Sequence, residues 1–347
     1  MKTTALALLA TTALAILPHS AMAAPKVVAS IKPIHSLVAA IMDGVGTPDL
    51  IVKGAASPHT YNLRPSDAQR LQEADVVFWV GHGLEAFLEK PLEALSGDAK
   101  VVELEEAPGL ELLPFREGGA FEAHDHGDEY DHAHEGEEAG HDDDHDHDAE
   151  QAEARHEHEH EEAEAEHEHE HDHEHGGHDM HLWLDPMNAK TLASEIAHVL
   201  EEADPENAAA YAKNAETLLA SLDALDKEIA ETVAPIKDKP FVVFHDAYQY
   251  FEHRYGVRVA GSITVSPEVM PGADRVSEIH AKIKDLGAAC VFAEPQFEPK
   301  LVNVVTEGTS AKSGVLDPEA GALTEGPELY PTMMRAIATS LSDCLGA

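Results

Sequence analysis

Histidine is the residue type through which this sequence could do chemistry. Sixteen of the chain's 25 His lie between His124 and Asp179, interleaved with 25 Asp and Glu and a single base, Arg155. Neutral imidazole is a good ligand for zinc, copper and nickel, and a flexible array of imidazoles and carboxylates can close around an ion in many equivalent ways. The run therefore predicts several weak, exchangeable metal sites. A merely solubilising acidic tract would explain the acids but not the histidines.

The same run contains no Leu, Ile, Val, Phe or Trp. A segment that buries no apolar surface cannot offset the entropy lost when its backbone is ordered, and its carboxylates repel one another. We therefore expect a disordered His/Asp/Glu-rich loop over about residues 120–179, inserted into a chain of otherwise ordinary composition.

Outside the run, four polar residues stand near the ends of predicted strands. His245, Glu294 and Asp317 each directly follow a strand, and His59 lies in the loop after another. In parallel α/β sheets ligands gather outside the carboxyl ends of the strands, so these side chains should meet. His181, just after the acidic run, completes a set of three His with one or two carboxylates. Tetrahedral zinc takes three imidazoles and an oxygen readily.

Other residues near this set fit structural positions better. Asp185 precedes Pro186 and is explained as a helix N-cap rather than as a ligand. His35 and His82 occupy loop or helix-start positions and are expected to be structural. Three further histidines lie within predicted helices and are expected at the surface: His198, His253 and His280.

Strands and helices alternate on both sides of the run. Strands are predicted at 26–30, 50–52, 75–81 and 101–104, and again at 241–244, 257–259, 290–293 and 314–316. This alternation predicts an α/β protein with two lobes of mostly parallel sheet flanked by helices, and a metal site in the cleft between the lobes.

One long helix is predicted between the two lobes. Its apolar residues, from Leu218 to Val233, are spaced 4, 3, 4 and 4 residues apart, which gives an amphipathic helix of about 30 residues and about 45 Å. We expect a rigid strut. The predicted organisation is a signal peptide at 1–23, an N-terminal lobe at 24–203 that contains the His-rich loop, a linking helix at 204–235 and a C-terminal lobe at 236–347.

Charge, the N-terminus and the cysteines indicate compartment and partners. The net charge of −43 argues against nucleic acid and anionic membranes as partners. Lys2, the apolar run after it and the closing Ala21-Met22-Ala23 are typical of a secretory signal peptide, so we expect a periplasmic protein. In an oxidising compartment the two cysteines, Cys290 and Cys344, are expected to form a disulfide between the last helix and the C-terminal sheet.

Five groups of residues resemble the motifs of a known family. They are Gly54-Ala-Ala-Ser-Pro-His59 with Leu63-Arg-Pro-Ser-Asp67, His181-Leu-Trp-Leu-Asp-Pro186, Phe244-His-Asp-Ala-Tyr248, Phe292-Ala-Glu-Pro-Gln-Phe297 and Gly314-Val-Leu-Asp-Pro318. Over essentially the whole mature chain, the sequence resembles the metal-binding solute receptors of bacterial ABC importers for zinc and manganese (cluster A-I), and among them the ZnuA-type zinc receptors.

The resemblance implies a ligand set. By it the metal ligands are His59, His181 and His245, with Asp317 at the position that supplies a carboxylate in related receptors. Manganese members of the family have a carboxylate at the position of His245, so the resemblance implies zinc rather than manganese as the bound metal. Pro58 stands where some zinc receptors have Glu, which leaves the fourth ligand open between Asp317 and water. The family also has a His-rich loop before the second ligand and, in some members, a C-terminal disulfide.

The resemblance also implies a function. We expect a monomeric high-affinity zinc-binding protein, not an enzyme, that captures periplasmic Zn²⁺ and delivers it to an ABC-transporter permease, with the His-rich loop as a low-affinity reservoir. The alternatives are a manganese or other divalent-metal receptor, a metal buffer, and a periplasmic zinc hydrolase, since three His with an open fourth position also suit catalytic zinc. Against the hydrolase, H-E-x-x-H occurs only within the His/Asp/Glu-rich run, as in His156-Glu-His-Glu-His160, and Glu294 could act as a base only if a substrate reached the metal.

Overall fold

The computed structural model describes residues 24–97, 99–116, 177–264, 271–297 and 300–346. The predicted signal peptide and nearly all of the predicted His-rich loop lie outside these ranges. Within them, no helix combines the length and the apolar composition that crossing a membrane requires.

The first half forms a four-stranded parallel sheet. Its strands are β1 (Val27–Ala29), β2 (Asp49–Leu50), β3 (Val76–Trp79) and β4 (Lys100–Glu103), in the order β2-β1-β3-β4. The helices of this half are α1 (Lys32–Ile41), α2 (Pro65–Glu73) and α3 (Glu89–Leu95). Every residue of β1 and β3 is buried, which explains why their sequences are continuously apolar.

Two helices follow the acidic run, α4 (Pro186–Ala203) and α5 (Ala208–Val233). Asp185 caps α4 as predicted, because its carboxylate accepts the backbone N–H of Met187 at 2.8 Å. The long helix links the lobes, but it begins at Ala208 rather than at the predicted Asp204. The Asp204 carboxylate accepts hydrogen bonds from Asn207 and from the Tyr211 hydroxyl, and this separates α5 from α4 by a turn.

The second half forms another four-stranded parallel sheet, so the α/β fold predicted from the sequence is confirmed. Its strands are β5 (Pro240–His245), β6 (Arg258–Thr264), β7 (Cys290–Ala293) and β8 (Lys312–Val315), in the order β6-β5-β7-β8. Its helices are α6 (Gln249–Tyr255), α7 (Ala273–Leu286), α8 (Lys300–Thr306) and α9 (Leu329–Gly346). The predicted disulfide between Cys290 and Cys344 is present and joins β7 to α9.

One hydrophobic core extends through both sheets. It contains Phe78 of β3, Leu225 of α5 and Phe241 of β5, all buried. Alternate residues of β5, Val242 and Phe244, point instead into a second, smaller core on the other face of the second sheet. The linking helix therefore packs within a shared core. The predicted lobe boundaries at residues 203 and 235 stay a prediction.

Candidate metal centre

Three histidines from separate segments come together at the carboxyl ends of the strands. His59 lies in a short 3₁₀ helix (Pro58–Thr60) after β2, His181 precedes another (Leu182–Leu184), and His245 is the last residue of β5. A ring nitrogen of each lies within 4.8 Å of the other two. His181 and His245 are buried and His59 is half-buried.

The distances between the ring nitrogens fit one small cation. The Nε2 atom of His181 lies 3.4 Å from Nε2 of His59 and 3.3 Å from Nε2 of His245. Zinc–nitrogen bonds of about 2.0–2.1 Å in a tetrahedron place neighbouring nitrogens about 3.3–3.4 Å apart. Two of the three separations therefore match the edges of a tetrahedral zinc site, and the third pair of ring nitrogens lies within 4.8 Å.

Two buried carboxylates orient two of the three rings. Asp179 accepts from Nδ1 of His181 at 2.7 Å, and the two carboxylate oxygens of Glu294 lie 2.7 and 2.8 Å from Nδ1 of His245. With the proton on Nδ1, each Nε2 presents a lone pair toward the other ring. Lone pairs 3.3 Å apart repel, and a cation between them removes the repulsion.

The carboxylate beside His245 also changes its acidity. Burial lowers the pKa of His245, but the charge and hydrogen bond of Glu294, together with the charges of Asp246 and Asp179, outweigh burial, so the net pKa is raised above its ordinary value. A proton therefore competes with a metal ion for this ring more strongly than for an isolated histidine.

Asp317, the predicted carboxylate ligand, has other partners. Its Oδ1 accepts from the side chain of Gln296 at 2.9 Å and from the N–H of Gly321 at 3.0 Å, and its Oδ2 accepts from the N–H of Ala322 at 3.2 Å. Among the described residues, the group of mutually close ligand atoms contains the three histidines without Asp317. Three of about four acceptor positions on its carboxylate are thus in use.

The histidines that the sequence predicts to be structural or at the surface lie outside the group of close ligand atoms. His35 shares a hydrogen bond of 3.0 Å with the carbonyl of Pro48, and the His82 ring lies edge-on to Trp79 with its centroid 4.7 Å away. His198 and His253 are exposed, as predicted. His280 is half-buried, because Nδ1 of its ring donates to the Val305 carbonyl at the end of α8.

Sequence reasoning missed that Asp179 and Glu294 orient the metal ligands. For Glu294 the signal was available: the parallel register pairs Phe241 with Cys290 and Val242 with Val291, which carries His245 opposite Glu294. For Asp179 it was hidden, because this residue closes a run of 25 acids. What distinguishes Asp179 is a tight local turn, in which its carboxylate also accepts the backbone N–H of His181 at 3.0 Å.

Comparison with known proteins finds relatives over most of the chain. A family model described as ZnuA, "Zinc-uptake complex component A periplasmic", matches residues 27–344. The chain is 59% identical to the "High-affinity zinc uptake system protein ZnuA" of Brucella abortus (strain 2308) over 319 residues, which are 92% of this chain and 91% of that protein. It is 40% identical to the protein of the same name from Haemophilus influenzae (strain Rd) over 330 residues, 93% of this chain and 94% of that one.

Solved structures show the same fold. A crystal structure of ZnuA superposes with a TM-score of 0.68 at 23% identity, and the periplasmic zinc-binding protein TroA from Treponema pallidum with 0.69 at 18% identity. Each comparison covers 93% of this chain and 99% of the other. At these identities the likeness establishes the fold alone.

Proposed function

The chain belongs to the ZnuA family of periplasmic zinc-uptake components, and we propose that it captures zinc with high affinity and delivers it to the membrane permease of an ABC importer. The observation that carries this proposal is the group of three histidine ring nitrogens within 4.8 Å of one another, in which two Nε2 separations, 3.3 and 3.4 Å, match a tetrahedral zinc ion. The names of the relatives, high-affinity zinc uptake proteins, support the same cargo.

In this proposal His59, His181 and His245 bind zinc through Nε2. All three are neutral ligands, so the charge of the ion must be balanced by other groups. Asp179 and Glu294, each only 3% exposed, supply two negative charges directly behind two of the rings. Such carboxylates fix the tautomer of a ligating imidazole and make it more basic. Three imidazoles favour zinc over manganese, which prefers carboxylate and carbonyl oxygen.

The fourth ligand is Asp317 or water. The Asp317 carboxylate already accepts three hydrogen bonds. It could bind the ion only through its one remaining acceptor position. A water molecule could bind the ion without using any acceptor position of Asp317. Substitution of Asp317 by Ala separates the two: a loss of zinc affinity well below that of His245→Ala supports water.

We propose no catalytic role for the site. Glu294, the candidate general base, has both carboxylate oxygens at Nδ1 of His245, on the side of the ring opposite to Nε2. It therefore cannot reach a metal-bound water without giving up the orientation of His245. The reservoir role of the acidic run, the monomeric state and the periplasmic location of this chain belong to the same proposal.

Equilibrium zinc titration against a competing chelator tests the proposal. The mature chain should show one tight site, besides weaker ones, and His245→Ala should remove it. Unchanged tight binding in His245→Ala would disprove the ligand assignment. A deletion strain that grows normally under zinc limitation, with no second zinc importer present, would contradict the transport role.

A further inference from the structure

The two backbone segments that flank the acidic run meet beside the metal centre. The N–H of Asp179 donates to the Leu113 carbonyl at 2.9 Å, and Pro114 pairs with His178 in an isolated antiparallel bridge. The first segment is anchored to α4, since Asn188 exchanges two hydrogen bonds of 2.9 Å with the backbone of Glu111. These contacts fix both segments on the side of the cleft that carries His181.

The hydroxyl of Tyr250, from α6, lies between these segments. It donates to the carbonyl of Asp179 at 2.7 Å and accepts the N–H of Leu113 at 3.0 Å. The side chain is 1% exposed. Without the hydroxyl, the buried Asp179 carbonyl and the half-buried Leu113 N–H would each lose this partner. Burial also raises the pKa of Tyr250, which keeps the hydroxyl protonated and able to donate.

This contact links two metal ligands. α6 is the helix that follows His245, whereas Asp179 is the residue whose carboxylate holds Nδ1 of His181 at 2.7 Å. A continuous path therefore runs from His245 through α6 and the Tyr250 hydroxyl to Asp179 and His181. Arg116, from the first of the flanking segments, adds a parallel link because its guanidinium pairs with both Asp246 and Glu252.

We propose that Tyr250 is a positioning residue for zinc binding, whose hydroxyl holds the Asp179–His181 pair at the separation from His245 that the ion requires. The inference deepens the proposed zinc-capture function and rests on it. A tetrahedral site tolerates little error in the distance between two ligands. A looser contact between α6 and Asp179 should therefore increase the rate of zinc release.

Tyr250→Phe removes only the hydroxyl, and Tyr211→Phe is a matched control. Tyr211 is also fully buried, and its hydroxyl donates one hydrogen bond of 2.9 Å, to Asp204 in the turn between α4 and α5. Neither residue takes part in the site. Both substitutions should lower the stability to denaturant. Only Tyr250→Phe should speed zinc release and weaken affinity, by about tenfold, with one tight zinc still bound per chain.

The measurement is chelator-triggered release of zinc from the full mature chain. The kinetic phase that belongs to the tight three-histidine site is the one that His245→Ala removes. Release from Tyr250→Phe within about twofold of the wild-type rate, or equal acceleration in Tyr211→Phe, would overturn the inference. A wild-type chain without any tight phase would instead refute the proposed function itself.

A second comparison asks whether Tyr250 acts through Asp179. In an Asp179→Ala background the Tyr250→Phe change should alter zinc release by less than about twofold, because the side chain that holds Nδ1 of His181 is already gone. Full additivity of the two substitutions would overturn the inference, since it would mean that Tyr250 affects zinc only through general stability.

Discussion

Substitution of Glu294 by Gln perturbs the metal centre without changing its shape. The amide is nearly isosteric with the carboxylate, which is 3% exposed and holds Nδ1 of His245 at 2.7 and 2.8 Å. Two effects lower zinc affinity. A charge-assisted hydrogen bond becomes a neutral one, a loss of about 1 kcal/mol. The attraction between one negative charge and a doubly charged ion some 6–7 Å away is also lost, about 1.3 kcal/mol even at the dielectric constant of water.

The expected total is about 2 kcal/mol, or about 30-fold weaker zinc binding near neutral pH. The pH dependence has a definite sign. Glu294 raises the pKa of His245, so a proton competes with zinc for the wild-type ring as the pH falls. In the variant this pKa is lower, because only the charges of Asp246 and Asp179 remain to oppose the effect of burial. The 30-fold difference should therefore shrink as the pH is lowered.

Chelator competition at a series of pH values measures both effects. Glu228→Gln is the control for a change of one charge, since Glu228 lies on the surface in a pair with Arg335 and its side chain is 50% exposed. A variant Glu294→Gln with wild-type affinity, or with a deficit that grows toward low pH, would refute the reasoning.

Further outcomes follow from the same contacts. Replacing both Cys290 and Cys344 by Ser should cost about 4 kcal/mol of stability by the chain-entropy model, and denatured, unreduced protein should show no free thiol by labelling. Because the folded pKa of His245 lies above 6.5, its pairing with Glu294 should stabilise the zinc-free protein fully below about pH 6.5; chemical denaturation should show this contribution lost as the pH rises through the folded pKa. Deleting residues 124–176 should remove the weak sites in a zinc titration and spare the tight one, whereas a deletion extended through Asp179 should weaken the tight site as well.

The sequence predicts the inner strands of this fold well, because the buried parallel strands β1, β3, β5 and β7 have continuous apolar sequences. The predicted start of α5 at Asp204 is four residues too early. Asp204 has the residue type of a helix N-cap, but its carboxylate accepts hydrogen bonds from Asn207 and Tyr211 in the turn before α5 and in its first helical turn. The position at which the helix begins depends on which side chains bind the Asp204 carboxylate, and the residue types alone do not determine this.

The metal centre could be predicted in part. Residues that follow parallel strands share one edge, so His245, Glu294 and His59 are predicted by position, and His181 by its place at the end of the acidic run. The contact between Tyr250 and Asp179 could not be found this way. It joins residues 71 positions apart through a backbone carbonyl, which carries no signature in the sequence.

Zinc K-edge absorption spectroscopy tests the central claim most directly. With one equivalent of zinc bound to a chain that lacks residues 124–176, we predict three imidazole nitrogens at about 2.0–2.1 Å and one oxygen in the first shell. In His245→Ala one imidazole should be lost from that shell. A first shell with fewer than three imidazoles, or one that His245→Ala leaves unchanged, would contradict the three-histidine site.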